Sequence, residues 1–244
     1  MVKAFVVSIL VTIFSWSGVV RVATSANVSY AMDSLIEKFQ ASHPKTRVQK
    51  IVSSSGKLTA QIIHKAPFDI FLSANMSYPK RLFKMGISSQ PKVYAKGLLA
   101  IFSKKKRDFS KGLELLKSDS IKKIAVANPK LAPYGKASIE ALKSAKIYSQ
   151  VKPKVIFGDS ISQTLSYALK IADIGIVAKS LLLSPKMSKF KEGKNWQEVD
   201  KNLYTPIKQG AVLINPSKEA KAFFDFLFSK DAKEILSNYG YLVD

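Results

Sequence analysis

The sequence contains no cysteine and only two histidines, His43 and His64, among its 244 residues. Without cysteine there is no disulfide framework, no thiolate metal site, no thiol catalysis and no lipid-modified cysteine. Two histidines are also too few for a multi-histidine metal centre. Acidic residues are scarce as well, 17 against 39 lysines and arginines, which gives a formal charge of +22. These absences exclude large classes of enzymes.

The excess of positive charge suggests nucleic acid as a partner, but its distribution argues against one. Lysine is spread along the chain, with one short run at residues 104–107. Zinc-finger spacing, an RNA-binding glycine/aromatic signature and a basic tail are all missing. We therefore expect a lysine-rich surface and no nucleic-acid partner. A hydrophobic fraction of 47% indicates a globular protein, and the length suits two lobes of about 100 residues each.

The N-terminus has the pattern of a targeting segment. Lys3 supplies a positive start, and residues 4–20 carry no charge. This stretch is shorter than the roughly 20 residues of a membrane-spanning helix. Ser15 and Ser17 are small residues at the positions that a signal peptidase reads. We predict a signal peptide over residues 1–17, cleaved before Gly18, and a periplasmic location; a retained membrane anchor is the alternative.

Beyond residue 17 the chain alternates strand-like and helix-like segments. A short β-rich run at residues 18–23 precedes a segment with apolar residues at positions 28, 32, 35, 36 and 39, which form one helical face. The same alternation continues to two helices at the C-terminus. Residues 93–103 and 203–215 are predicted to be extended. The pattern favours an α/β fold of two three-layer α/β/α lobes with parallel sheets.

Four predicted helices begin with turns that are rich in small hydrogen-bonding residues. In open α/β sheets ligands bind where strands end and helices begin, and a helix start offers free N–H groups and a partial positive charge. Such turns could together hold a small oxyanion with neutral donors. Ordinary helix capping is the alternative for each turn taken alone. The four turns are Thr24–Asn27, Ser53–Gly56, Pro133–Gly135 and Gly158–Ser162.

At these turns the chain resembles the periplasmic molybdate-binding proteins of bacterial ABC importers. The resemblance covers residues 18–241, and the order and spacing of its motifs make it specific. The motifs are residues 22–28 (VATSANV), 54–58 (SSGKL), 66–74 (APFDIFLSA), 128–129 (NP), 133–135 (PYG), 161–163 (ISQ), 175–177 (GIV) and 238–241 (NYGY).

The resemblance implies a type II periplasmic binding protein fold, in which two chain crossings form a hinge between the lobes. Lobe one would comprise residues 18–95 plus 205–244, and lobe two residues 96–204. It also implies a monomeric receptor, not an enzyme, that delivers molybdate, and tungstate as well, to a membrane permease. No cofactor is expected, and the metal would be bound only as its oxyanion, without direct protein–metal ligands.

The resemblance carries over a set of ligand-binding residues. Asn27 and Ser55 from lobe one and Tyr134 and Ile161 from lobe two would hold molybdate; Ala26 and Ser54 would add contacts. Tyr134 and Ile161 would donate backbone N–H groups, and Ser55 both its hydroxyl and its N–H. Many family members have serine in place of Asn27 and a ligand-touching tyrosine in place of Ala178. This chain is similar to a second branch, with asparagine at the first of these positions and tyrosine at the position of Tyr134.

Two other functions remain open at the level of sequence. One is a receptor for another tetrahedral oxyanion, sulfate or phosphate; an iron chelate fits less well because no Tyr/His pair falls at the four turns. The other is an exported hydrolase of phosphate or sulfate esters. Its catalytic groups are missing from the motifs, since His43 precedes Pro44 in a loop and His64 is expected on the exposed side of a helix end.

Overall fold

The computed structural model describes residues 18–244, which contain two five-stranded sheets. The predicted signal peptide, residues 1–17, lies outside the described residues. The strands of the first sheet are β1 (Gly18–Ser25), β2 (Thr46–Ser53), β3 (Ile70–Ser73), β4 (Lys92–Gly97) and β10 (Ile207–Leu213). Those of the second sheet are β5 (Leu99–Phe102), β6 (Ile124–Ala127), β7 (Val155–Gly158), β8 (Ile174–Ala178) and β9 (Trp196–Glu198).

The two sheets have the same plan. The strand order is β2-β1-β3-β10-β4 in the first and β7-β6-β8-β5-β9 in the second. In the first sheet β1 pairs in parallel with β2 and β3, and in the second β6 pairs in parallel with β7 and β8. The fourth strand of each, β10 or β5, is antiparallel to both neighbours. The prediction of parallel sheets is therefore wrong at this strand, which enters its sheet directly from a crossing rather than through a strand–helix–strand connection.

Helices cover both faces of the sheets and make each lobe a three-layer structure. The helices beside the first sheet are α1 (Ser29–Ser42), α2 (Ser55–Ile63), α3 (Ser77–Lys84), α8 (Lys218–Phe226) and α9 (Lys230–Asn238). Those of the second lobe are α4 (Pro133–Ser144), α5 (Tyr148–Val151), α6 (Ile161–Lys170) and α7 (Lys179–Leu182). Short 3-10 turns occupy Ala26–Val28, Gly112–Lys117, Lys152–Lys154, Pro185–Met187 and Lys201–Leu203.

Alternating residues of the strands build the cores on the two faces. On β3, Ile70 and Leu72 pack into a cluster with α1, α8 and α9, whereas Phe71 packs with Leu58 of α2 and Leu82 of α3. This is the period of two that a strand imposes on its side chains. The two-lobed α/β/α fold is thus confirmed.

The chain changes sheets at two crossings. β4 ends at Gly97 and β5 begins at Leu99, so the single strand predicted for residues 93–103 is wrong. The second predicted extended segment, 203–215, contains β10 only from Ile207 to Leu213. The two crossings lie side by side, because Ile207 pairs with Gly97. The predicted lobe limits, 95/96 and 204/205, stay a prediction beside these changes of sheet.

Candidate functional site

The four predicted helix starts meet in one small cavity between the lobes. β1, β2, β6 and β7 each end at this level, and the next helical segments begin at Ala26, Ser55, Pro133 and Ile161. The cavity is tight, with a volume of about 10 Å³. Its lining consists of Ser25, Ala26, Asn27, Ser54, Ser55, Ala74, Ala132, Pro133, Tyr134 and Ile161.

All six residues predicted to bind the ligand belong to this lining. Asn27 and Ser55 come from the first lobe, and Tyr134 and Ile161 from the second, with Ala26 and Ser54 beside the first pair. They are separated by up to 135 positions along the chain, and folding brings them together. Their contact with a ligand remains a prediction. The sequence motifs missed Ser25 as a candidate, although it lies within the first quoted motif.

The side chain of Ser54, in the second turn, is not used to cap its helix. Ser54 occupies the N-cap position of α2, yet its side chain makes no capping hydrogen bond. At the start of α6, by contrast, Ser160 is a conventional cap whose hydroxyl accepts a hydrogen bond from the Gln163 N–H. Capping therefore explains Ser160 but not Ser54.

Ser55 holds its hydroxyl ready to donate. Its Oγ accepts a hydrogen bond of 3.0 Å from the backbone N–H of Ala74, at the end of β3. The hydroxyl proton is left for another acceptor, because Oγ already uses a lone pair toward Ala74. Ser55 is also the first residue of α2, so its N–H has no acceptor within the helix.

Buried polar atoms without partners concentrate at this cavity. Among residues 18–244, four buried side-chain oxygens or nitrogens lack a hydrogen-bond partner. Three of them, Ser25 Oγ, Asn27 Oδ1 and Ser54 Oγ, belong to residues of the lining. Each such group costs about 1–3 kcal/mol unless a ligand or water satisfies it. The cavity therefore has the unused hydrogen-bonding capacity of a polar binding site.

The lining contains no residue that is charged at neutral pH. Burial raises the pKa of the Tyr134 phenol well above its ordinary value, and the neighbouring buried phenols Tyr241, Tyr94 and Tyr204 raise it further. The helix starts supply partial positive charge in place of lysine or arginine. This arrangement suits an anion that is held by neutral hydrogen-bond donors and by helix dipoles.

Hydrogen bonds and one ion pair join the lobes around the cavity. These interlobe contacts include Gly56 N–H to Leu131 O (3.0 Å), Ser162 Oγ to Ala26 O (3.1 Å), Ser180 Oγ to Asn27 O (2.9 Å) and Lys57 Nζ to Asp159 Oδ2 (2.6 Å). The lobes are thus in contact on several sides of the site. Lys57 is half exposed, lies outside the lining and pairs with Asp159.

A buried polar network lies behind Asn27. Asn27 Nδ2 is 2.8 Å from Gln209 Oε1 and 2.7 Å from Tyr241 Oη, with a longer contact of 3.5 Å to Tyr134 Oη. Sequence reasoning missed Gln209. Its signal was a polar residue at an inward position of a strand whose neighbours Ile207 and Ala211 are buried.

The residues required by the hydrolase alternative are not assembled here. His43 and His64 are both exposed, as predicted, and neither lines the cavity. The His43 ring stacks on Phe39 at a centroid distance of 4.2 Å. Within the described part of the chain, no group of three or more histidine or acidic side chains could hold a metal ion. None of the helices in residues 18–244 is both long and apolar enough to cross a bilayer.

The fold agrees with that of known proteins that the chain resembles. The family model of bacterial extracellular solute-binding proteins matches residues 20–242. The chain belongs to this family. Its location is accordingly extracytoplasmic, and its relatives are binding proteins rather than enzymes.

Two relatives of the chain are named as molybdate-binding proteins. It is 38% identical over 196 residues to the molybdate-binding protein ModA of Rhodobacter capsulatus, covering 78% of this chain and 75% of that protein. It is 33% identical over 231 residues to ModA of Azotobacter vinelandii, covering 91% and 89%. A solved structure of the Azotobacter vinelandii periplasmic molybdate-binding protein superposes with a TM-score of 0.85 at 26% identity, covering 92% of this chain and 99% of the other.

Proposed function

We propose that the chain is a receptor that binds molybdate between its lobes and delivers it to the permease of an ABC importer. The observation that carries this proposal is the uncharged interlobe cavity, whose lining includes two buried serine hydroxyls without partners, Ser25 Oγ and Ser54 Oγ. Relatives that are named for molybdate binding and match most of the chain support the same ligand.

The proposed ligand contacts follow the lining. Ser55 donates its hydroxyl and N–H, and Ser54 a hydroxyl that has no other partner. Tyr134 and Ile161 donate backbone N–H groups from the starts of α4 and α6, and Asn27 and Ala26 contribute from the turn after β1. A dianion loses its water shell on entry, and each of these donors replaces part of that shell.

Binding and closure are one event in this proposal. Donors from both lobes surround the anion, so the ligand stabilises the arrangement in which the lobes touch. The permease recognises that closed arrangement. Tungstate has the same charge and tetrahedral shape and is proposed as a second ligand. Export by a signal peptide, a periplasmic location and a monomeric state belong to the same proposal.

Titration calorimetry on the chain from Gly18 tests the proposal, with molybdate, tungstate, sulfate and phosphate at physiological salt. Saturable one-to-one binding of molybdate and tungstate without a sulfate signal is the expected result. Binding of sulfate or phosphate alone would keep the receptor and replace its ligand. Absence of binding by all four anions would refute the site. Turnover of phosphate or sulfate esters that disappears in Ser55→Ala would favour the hydrolase instead.

A further inference from the structure

Asn27 sits where the ligand cavity meets the hinge, and its carboxamide is already occupied. A carboxamide nitrogen carries two hydrogens. Asn27 Nδ2 has acceptors at 2.8 Å (Gln209 Oε1) and 2.7 Å (Tyr241 Oη), and its third contact, Tyr134 Oη, is the long one at 3.5 Å. Both hydrogens are therefore committed to protein acceptors. The side chain has no donor left for an anion.

Gln209 decides which way the Asn27 carboxamide faces. Gln209 is fully buried, and its Nε2 donates to the backbone carbonyl of Ile207 at 2.7 Å. Its Oε1 must then face Asn27, where only an N–H group is tolerated. Turning the Asn27 carboxamide over would oppose two carbonyl oxygens. This orientation is kept although it leaves Asn27 Oδ1 buried without a partner.

Gln209 lies at an irregularity in the pairing of β10 with β4. It pairs with Ala95, and the next residue, Gly210, pairs with Val93, so Tyr94 of β4 is the extra residue. Gly97, two residues beyond Ala95 on β4, has no side chain to fill this space. A Cβ on Gly97 would lie 2.9 Å from Gln209 Nε2 and 1.9 Å from Tyr134 Oη. Both crossings thus leave room for the network.

We propose that Gln209 is a positioning residue that fixes the Asn27 carboxamide against the hinge, so that Asn27 meets the anion with its backbone N–H. The side chain of Asn27 then serves to tie the ligand site to β10, to the C-terminal Tyr241 and to Tyr134 of the second lobe. Ser180 of the second lobe completes this junction by donating to the Asn27 carbonyl at 2.9 Å. The inference rests on the proposed function, because it assigns a role within the same site.

A double-mutant cycle on the chain from Gly18 tests the proposal, with molybdate affinity as the readout. Gln209→Met keeps the length of the side chain and removes both hydrogen-bonding groups. We expect it to weaken binding about tenfold in the wild type and less than about twofold in an Asn27→Ala background, because its effect passes through Asn27. Ser55→Ala is the control partner, and its loss should multiply with that of Gln209→Met.

Equal losses from Gln209→Met in the two backgrounds would overturn the positioning role and leave the proposed receptor intact. If the unchanged protein binds no molybdate, the proposed function and this inference fail together. A second readout applies to the ligand-free protein and does not depend on affinity. The side-chain NH₂ resonances of Asn27, assigned through Asn27→Ala, should exchange slowly with solvent in the wild type and much faster in Gln209→Met. Fast exchange in the wild type would contradict the proposal.

Discussion

Lys57 and Asp159 form an ion pair of 2.6 Å between the start of α2 in one lobe and the turn before α6 in the other. The two side chains are 46% and 57% exposed, so the pair lies at the mouth of the cleft. A positive residue in the first turn of a helix is disfavoured by the helix dipole. Its position is explained by the partner that it reaches across the cleft.

The ion pair is expected to slow ligand release. Lys57→Gln should raise the molybdate dissociation rate by up to about fivefold at low salt, which corresponds to at most about 1 kcal/mol for an exposed pair. The difference from wild type should shrink in 0.5 M salt, since salt screens exposed charges. Stopped-flow release measurements check both statements.

Lys136→Gln is the matched control for this variant. Lys136 also lies in the first turns of a helix, α4, but it is 74% exposed and faces Glu140 of its own helix at 4.0 Å. The Lys136→Gln variant should therefore release molybdate at the wild-type rate. Equal acceleration by the two variants would mean that overall charge matters and the pair does not.

The hydroxyl of Ser55 is expected to contribute directly to affinity. Ser55→Ala removes a donor to a charged oxygen and also the acceptor for the Ala74 N–H. The molybdate dissociation constant should rise tenfold to 150-fold, the equivalent of about 1.5–3 kcal/mol. Ser53→Ala, in the same serine run but outside the lining, should change it little. Calorimetry measures the molybdate dissociation constants of the two variants. An unchanged affinity for Ser55→Ala would exclude the hydroxyl as a ligand.

A side chain at Gly97 is expected to hold the lobes apart. A Cβ there would lie 1.9 Å from Tyr134 Oη and 2.9 Å from Tyr134 Cζ, so the tyrosine could not keep its place beside the hinge. Gly97→Ala should weaken molybdate binding at least tenfold and increase the radius of gyration measured by small-angle scattering. Adding Tyr134→Phe removes the closest contact and should recover part of the affinity. If the affinity of the double variant does not recover, the loss in Gly97→Ala does not arise from contact with the Tyr134 hydroxyl.

The buried phenols predict the response of stability to alkaline pH. Burial, the largest cause, raises the pKa of Tyr94, Tyr134 and Tyr241. The folded protein therefore keeps these protons above pH 10, where tyrosines of the unfolded chain begin to lose them. The free energy of unfolding should be insensitive to these groups below about pH 9 and fall above about pH 10.

Each of the three phenols should contribute a slope of about 1.4 kcal/mol per pH unit in that range. Urea unfolding at several pH values measures this slope. Tyr94→Phe removes one of the three groups and should reduce the slope by about one proton. A slope that is the same in the variant and the wild type would show that Tyr94 does not titrate in this way.

The parts of the site that local patterns encode were predicted, and the parts that depend on long-range register were not. The turns at Asn27, Ser55, Tyr134 and Ile161 each lie between a strand-like and a helix-like segment, so the sequence alone places them at strand ends. Their common cavity follows from the fold. Gln209 meets Asn27 across 182 positions, and the inward polar position of Gln209 on its strand does not reveal which residue it contacts.

The two crossings between the sheets also depend on long-range pairing that the local sequence pattern does not reveal. Residues 93–103 have the composition of one long strand, and the break at Leu98 exists because the chain leaves one sheet and joins another. The pairing partners of β4 and β5 lie far away in sequence, so the hydrophobic pattern cannot separate them. The two C-terminal helices, by contrast, were predicted correctly, and the second of them, α9, has its own serine cap and its own apolar face.

The chain has a formal charge of +22, but the cavity is lined by uncharged residues. Different interactions therefore attract an anion to the protein and hold it in the cavity. The long-range field draws anions toward the protein, and ionic strength weakens that attraction. Once inside, the anion is surrounded by dipoles and neutral hydrogen bonds, which dissolved ions screen far less. Salt should thus govern how often an anion arrives rather than how long it stays, apart from the small contribution of the exposed pair at the mouth. A receptor built in this way collects a dilute nutrient quickly and can still release it without having to break a salt bridge to the cargo.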